Sequence, residues 1–350
     1  MTELKHHEPG VYVGLPEDEY HADPAIGGSG FKSWVYDPIE WWWSSSHCRY
    51  NLPAKETDAM TLGDAIHKIL LEGREAYDQF YHAKFNTDDY PYALKTSEDY
   101  ADKLAEMGLK KSGSKDVRRE RLIENGFEGQ FIDDLIAEFD VAHEGKRFVS
   151  KQWIDRLSLY VAIRQKDPAL IELFSEGVPE VSLFWNEGPI RCKCRLDWMR
   201  IDKTTDLKSY ADYMSFTSKE RRIKNITGNR YDLQEAHYSR GRRQCRDLPV
   251  FNIGGTDDQV AYVEKAIKHT AGFEFLFVKT TKAPRFTFLD AAVFREASQY
   301  DWSQAMQKLT QLYEHFGGVD NAWITVSDRH EVEFTEVPAS FGLGTLGMVA

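Results

Sequence analysis

From Pro179 to Tyr210 apolar and polar positions alternate with the period of a strand. Three runs, "PEVSLFW" (179–185), "IRCKCRLDWMRI" (190–201) and "TTDLKSY" (204–210), are joined by turns at "NEGP" and "DK". In the middle run Ile190, Cys192, Cys194, Leu196 and Trp198 share an apolar face, and Arg191, Lys193, Arg195 and Asp197 share the other. Glu180 falls on the face of Ser182 and Phe184, opposite Val181, Leu183 and Trp185, while Asp206 and Lys208 share a face two residues apart.

Elsewhere the period is helical. "MTLGDAIHKILLEG" (60–73) puts Leu62, Ile66, Ile69 and Leu70 on one stripe, with Gly73 as its stop. Residues 97–146 are charged and helical in pattern with a break at "LKKSGSK", and 151–176 give further helices interrupted before Pro168. A basic helix is expected over 231–246, then strands at "EFLFVKT" and "RFTFLDAAVF" and a helix near 298–316. The first thirty residues read as an extended, turn-rich lead-in, with Ser29 capping a short helix at about 30–36. The pattern predicts an α/β (α+β) protein with a mixed sheet core and flanking helices, mostly helical on its N-terminal side. Its divisions are a lead-in (1–58), a first core helix carrying His67 (59–95), a helical insertion (96–146), the core itself (147–320) and a tail (321–350).

Composition narrows the class. The 350 residues are 42% hydrophobic and 29% charged, enough for a large core, and no apolar run is long enough to span a bilayer. The N-terminus has no signal-peptide pattern, and four cysteines make no disulfide framework, so a reducing cytoplasm is expected. A net charge of -12 argues against nucleic acid. Yet Lys219 to Arg246 holds nine basic residues against three acidic ones, so a local basic surface is available. A serine-hydrolase elbow at Ser29 is excluded, because Phe31 stands where glycine is needed.

The three strands can bring Glu180, Asp197, Asp206 and Lys208 to one spot. Carboxylates so placed repel one another, and a hard divalent cation removes that penalty. A neighbouring lysine suits the positioning of an attacking water and charge balance on a phosphate.

This arrangement resembles the PD-(D/E)XK nuclease superfamily, with Asp197 ending one strand and "Asp206-Leu207-Lys208" on the next. More narrowly it resembles the RecE-type branch, the exodeoxyribonuclease VIII nuclease domain common in phages and prophages. The stretches are "LGDAIHKILLEG" with His67, "PEVSLFW" with Glu180, "CRLDWM" with Asp197, "DLKSY", and "YDLQEAHYSRG" with Gln234 and Tyr238. The resemblance implies a restriction-endonuclease-like sheet core and a Mg²⁺-dependent 5′–3′ exonuclease on linear duplex DNA, leaving 3′ single strands for recombination; Mn²⁺ would substitute. An endonuclease, a single-strand-specific nuclease or a non-catalytic DNA-binding protein are its rivals. His67, Glu180, Asp197, Asp206 and the Leu207 carbonyl are then the implied metal ligands, and Lys208, Gln234 and Tyr238 join the acids in catalysis. Tyr231, Arg240, Arg242, Arg243 and Arg246 read as DNA contacts, with Arg191, Lys193 and Arg195 on the polar face of their strand. Implied partners are DNA ends, sister subunits in a ring and a single-strand annealing protein, without a membrane.

Residues 97–123 resemble a SAP motif through Gly108-Leu109, Ser112-Gly113, Lys115 and Arg121-Leu122, which makes Lys110, Lys111 and Lys115 candidate DNA contacts; Tyr100 and Arg118 depart from the leucines the motif prefers. Three consecutive tryptophans, Trp41 to Trp43, cannot all be buried on one face of a helix or strand, so at least one is expected at a surface, an interface or a DNA end. An iron–sulfur cluster is excluded, because no cysteine follows Cys245 and Cys192 and Cys194 lie on an apolar face.

Overall fold

Along the first half of the chain run β1 (Gly10–Val13), α1 (Glu17–Ala22), α2 (Phe31–Tyr36), α3 (Pro38–Ser44), α4 (Asp58–His67), α5 (Arg74–Phe80), β2 (Tyr81–Ala83), α6 (Ser97–Glu106), α7 (Lys115–Glu124), α8 (Ile132–Ala142), β3 (Arg147–Val149), α9 (Lys151–Arg164) and α10 (Pro168–Ser175). The second half holds β4 (Val178–Glu187), β5 (Ile190–Met199), β6 (Lys203–Tyr210), α11 (Ser218–Asn229), α12 (Tyr231–Gln244), β7 (Val250–Asn252), α13 (Asp257–Ala266), β8 (Gly272–Lys279), β9 (Phe286–Asp290) and α14 (Arg295–Phe316). The computed structural model describes residues 6–28, 31–48, 51, 57–211 and 218–324; the Ser29 cap and almost all of the expected tail lie outside the described residues.

Seven strands form one mixed sheet in the order β7-β1-β4-β5-β6-β8-β9, and β2 pairs with β3 separately. β1 pairs parallel with β7 and β6 parallel with β8; the other ladders of the large sheet are antiparallel. The lead-in therefore supplies an inner strand, a role that its turn-rich composition concealed.

Both faces of the sheet are covered. On one, Val181, Leu183, Trp185, Cys192, Cys194, Leu196, Phe273 and Phe275 form a core with Leu233 and Ala236 of α12 and Trp302 and Met306 of α14. Helix α12 comes close because Gly241 has no side chain: a Cβ there would lie 2.8 Å from Trp185 and 3.0 Å from Cys194 Sγ. On the other face Leu207, Leu276 and Val278 meet Ile66, Ile69, Leu70, Leu157 and Tyr160. Each such buried aliphatic side chain contributes roughly 1.5–3 kcal/mol.

Several expectations are corrected. Trp198 does not join the face of Leu196; it packs with Leu70, Leu173 and Leu207 on the opposite side, its Nε1 donating to the Leu173 and Glu176 carbonyls at 3.1 Å. The alternation breaks next to it, at Asp197, whose facing residue Glu180 leaves the extended conformation. The strand expected over 285–294 ends at Asp290, whose Oδ1 accepts from Ala292 N (2.7 Å) and turns the chain into α14. The single helix expected over 60–73 is α-helical only to His67, and Lys68–Glu72 widen into a π-helical turn. That turn buries Ile69, Leu70 and Leu71 together and pairs Lys68 with Glu72 at 2.6 Å.

Of the tryptophan triplet, Trp41 and Trp42 are buried and Trp43 is 38% exposed. The Trp42 and Trp43 indoles donate to the Val319 and Trp323 carbonyls at 2.7 and 2.9 Å, fastening the segment that follows α14 to α3. The α6–α7 pair has its own small core of Tyr100, Leu104, Leu122 and Phe131. The four cysteines are buried thiols. Among the described residues no helix is long and apolar enough to cross a membrane.

Candidate active site

β6 pairs with β8 along its whole length, but with β5 only at Trp198↔Thr205 and Met199↔Thr204. Beyond those pairs the two strands diverge. The backbone N–H of Leu207, left without a ladder partner on that side, donates instead to Asp197 Oδ2 at 2.7 Å. A carboxylate thus fills the fork, which accounts for an aspartate in β-type sequence.

His67 closes α4 above this fork, its Nδ1 3.5 Å from Asp197 Oδ2. Glu180 faces Asp197 across β4 and β5, with φ +54° in the left-handed region. An extended glutamate would continue the ladder; this one interrupts it, and its carboxylate lies beside Asp197. His67, Glu180 and Asp197 each offer one donor atom, and the three atoms lie within 4.8 Å of one another.

Asp206 and Lys208 stand outside that trio, beside it. Lys208 Nζ is 2.6 Å from Asp206 Oδ2, and Gln234 Nε2 donates to Asp206 Oδ1 at 2.7 Å. Tyr231, one turn before Gln234 on α12, places its ring 4.9 Å from Lys208 Nζ. Tyr238, the next turn on, joins His67, Glu180 and Asp197 in lining a cavity of about 180 Å³. A larger cleft of about 820 Å³ shares Glu180, Arg195, Lys68 and Glu72 with that cavity.

Burial governs the electrostatics. It pushes Glu180 up to about 8, with the Asp197 charge adding to the effect and Arg195 opposing it. Burial likewise raises Asp206 to about 7 against the pull of Lys208, and raises Asp197. It lowers His67 to about 4, helped by the Lys208 charge, so the imidazole is neutral at pH 7. For Lys208 burial acts downward, but the Asp206 and Asp197 carboxylates outweigh it and the ammonium is held protonated.

Two neighbouring carboxyls raised mainly by burial, a neutral imidazole beside them and the Leu207 carbonyl against that imidazole form a donor set that a divalent cation suits. The mixed oxygen and nitrogen donors suit Mn²⁺ as well as Mg²⁺. Asp206 is engaged by Lys208 and Gln234, so the implied set of four residues is gathered as a trio with Asp206 alongside.

Three of the implied DNA contacts are corrected. Lys193 is buried, donating to the Tyr20 and Asp23 carbonyls at 2.7 and 2.6 Å. Arg191 pairs with Asp23 at 3.0 Å and donates to the His7 carbonyl. Arg242 is buried against the Arg200 and Ala266 carbonyls and Thr204 Oγ1. Strand and helix periods give a residue's side, but the lead-in and the 200–204 turn, remote in sequence, cover those sides. Arg240 chelates Glu187 at 2.7 and 3.0 Å, and Lys115 pairs with Asp133 at 2.6 Å. Lys110, Lys111 and Arg243 are exposed. Lys68, Glu72 and Glu17, which line the donor cavity, were missed: for the first two the helical pattern marked only the apolar stripe beside them and nothing signalled the π-helical turn, and Glu17 sits in α1, within the stretch read as a turn-rich lead-in.

The family model described as a PDDEXK-like domain of unknown function (DUF3799) matches residues 45–322. No curated protein matches. A solved structure from Eubacterium rectale, provisionally named an exonuclease, aligns over 94% of this chain and 99% of its own at 9% identity, with a TM-score of 0.48.

Proposed function

The chain belongs to the PDDEXK-like family, and from that premise we propose a divalent-metal-dependent deoxyribonuclease that degrades linear duplex DNA from its ends, 5′ to 3′. The observation that carries this reading is the trio of donors within 4.8 Å beside an ion-paired lysine. His67, Glu180 and Asp197 would hold the cation, with the Leu207 carbonyl adjoining. A cation bound there lowers the pKa of water and offsets charge on a phosphate. Asp206, fixed by Gln234, holds the Lys208 ammonium in place, and that fixed positive charge favours the developing phosphorane and orients a nucleophilic water. The neutral His67 keeps a lone pair for coordination. Leaving 3′ tails for a single-strand annealing partner, working as a ring in the cytoplasm and preferring Mg²⁺ belong to the same proposal.

Linear and covalently closed circular duplexes digested with Mg²⁺ or with chelator test it, wild type beside Asp206→Ala. The expected result is Mg²⁺-dependent loss of the linear substrate alone, absent in the variant. Cleavage of the circle would make the enzyme an endonuclease, and an Asp206→Ala protein as active as wild type would overturn the assignment of this site.

A further inference from the structure

Glu180 is the one candidate ligand whose backbone is strained, and such a residue persists only where its surroundings hold it. Its holder is Arg195. Arg195 lies two residues before Asp197 on β5, opposite Ser182 in the register. Its Nε is 2.9 Å from Glu180 Oε2 and also donates to the Glu180 carbonyl at 3.3 Å, so one N–H grips both the side chain and the backbone of the same residue. The guanidinium is itself anchored: Nη2 donates to the Leu15 carbonyl, and the group lies 5.2 Å from the Tyr20 ring centre.

We propose that Arg195 is a positioning residue that clamps Glu180 into the donor trio and thereby sets the cation affinity of the site, an inference resting on the metal-site reading above. A DNA-phosphate role fits Arg195 poorly. Its Nε and Nη2 are committed inside the protein, and Nη1 is sealed from solvent with no hydrogen-bond partner among the described residues. A buried guanidinium with an unsatisfied nitrogen is a poor choice for packing alone. It is a good one for keeping a carboxylate beside another carboxylate, where repulsion would turn Glu180 away.

Mn²⁺ titration calorimetry on the full chain tests the clamp, with wild type, Arg195→Gln and Arg195→Lys, alongside thermal melting and metal-free binding of a linear duplex. Removing a group that orients a ligand costs about 10- to 100-fold in metal affinity. Arg195→Gln should lose that much, Arg195→Lys less, and metal-free DNA binding should stay within about twofold. Should Arg195→Gln fail to fold, Arg195→Lys decides: weakened Mn²⁺ binding supports the clamp. Wild-type Mn²⁺ affinity in a folded variant overturns it, as does weakened DNA binding with metal affinity intact. A wild type that takes up no Mn²⁺ removes the metal-site reading, and the clamp falls with it.

Discussion

Glu180 and Asp197 occupy facing positions in an antiparallel register that runs from Pro179↔Trp198 to Val181↔Leu196 and skips the pair between. The skipped pair is the site. A ladder that continued through it would satisfy the backbone, and its interruption leaves both carboxyls free to join His67 in one donor cluster.

Placing these acids together costs the metal-free protein stability. A carboxyl whose folded pKa lies above its unfolded value weakens folding as pH rises past the unfolded value, and for Glu180 the loss is complete above about 8. Glu180→Gln should therefore melt higher than wild type in chelator at pH 8, by on the order of 1–2 kcal/mol, and show no gain at pH 4. Added Mg²⁺ should raise the melting temperature of wild type more than that of the variant. Equal responses to Mg²⁺ would remove Glu180 from the ligand set.

Gln234 reaches the candidate site through its Nε2, which donates to Asp206 Oδ1. Gln234→Ala should lower kcat by about 10- to 100-fold while leaving the melting temperature nearly unchanged. Gln234→Glu should be worse, since it places a second carboxylate 2.7 Å from Asp206 Oδ1. Comparison of kcat, KM and melting curves for the two variants checks both statements.

The basic residues separate by burial. Arg242→Met leaves two carbonyls and a hydroxyl without their donor, and should cost about 1–3 kcal/mol in denaturant unfolding. Neutralising Lys110, Lys111 and Lys115 should leave stability alone and weaken DNA binding. It should also flatten the dependence of that binding on log salt by about 0.9 for each phosphate no longer neutralised. A salt titration of binding that gives the wild-type slope would remove the SAP-like segment from the DNA interface.

His237 makes acid a stress on the fold. It is fully buried, with Nδ1 accepting from Trp302 Nε1 at 3.1 Å and Nε2 3.0 Å from the Lys193 carbonyl, which fixes a neutral ring. Burial lowers it to about 4. The unfolded chain takes up this proton first, so stability present above about 6.5 should drain as pH falls toward about 4, by on the order of 3 kcal/mol in total. His237→Gln should be less stable at pH 7 but lose less between pH 7 and 5 in parallel melts.

Strand alternation and the Asp206-x-Lys208 spacing made the core of the sheet and the acidic cluster legible, because both depend on neighbours within one strand. What escaped was set by distant partners. The lead-in became an inner strand only because β4 and β7 flank it. Trp198 changed faces because Glu180, on the other arm of a hairpin, left the extended region, and no periodicity encodes one reversed φ. Lys193 and Arg242 looked exposed because the carbonyls that sequester them come from the lead-in and from the 200 and 266 turns.

The indole bonds from Trp42 and Trp43 to Val319 and Trp323 bear on synthesis as well as packing. A ribosome releases every donor of the trio well before it reaches Trp323, whose fully buried ring lies against Trp41 and Phe316. Vectorial folding can therefore complete the layer of Trp41, Phe316 and Trp323 only after Trp323 has emerged, when all three donors have long been synthesised.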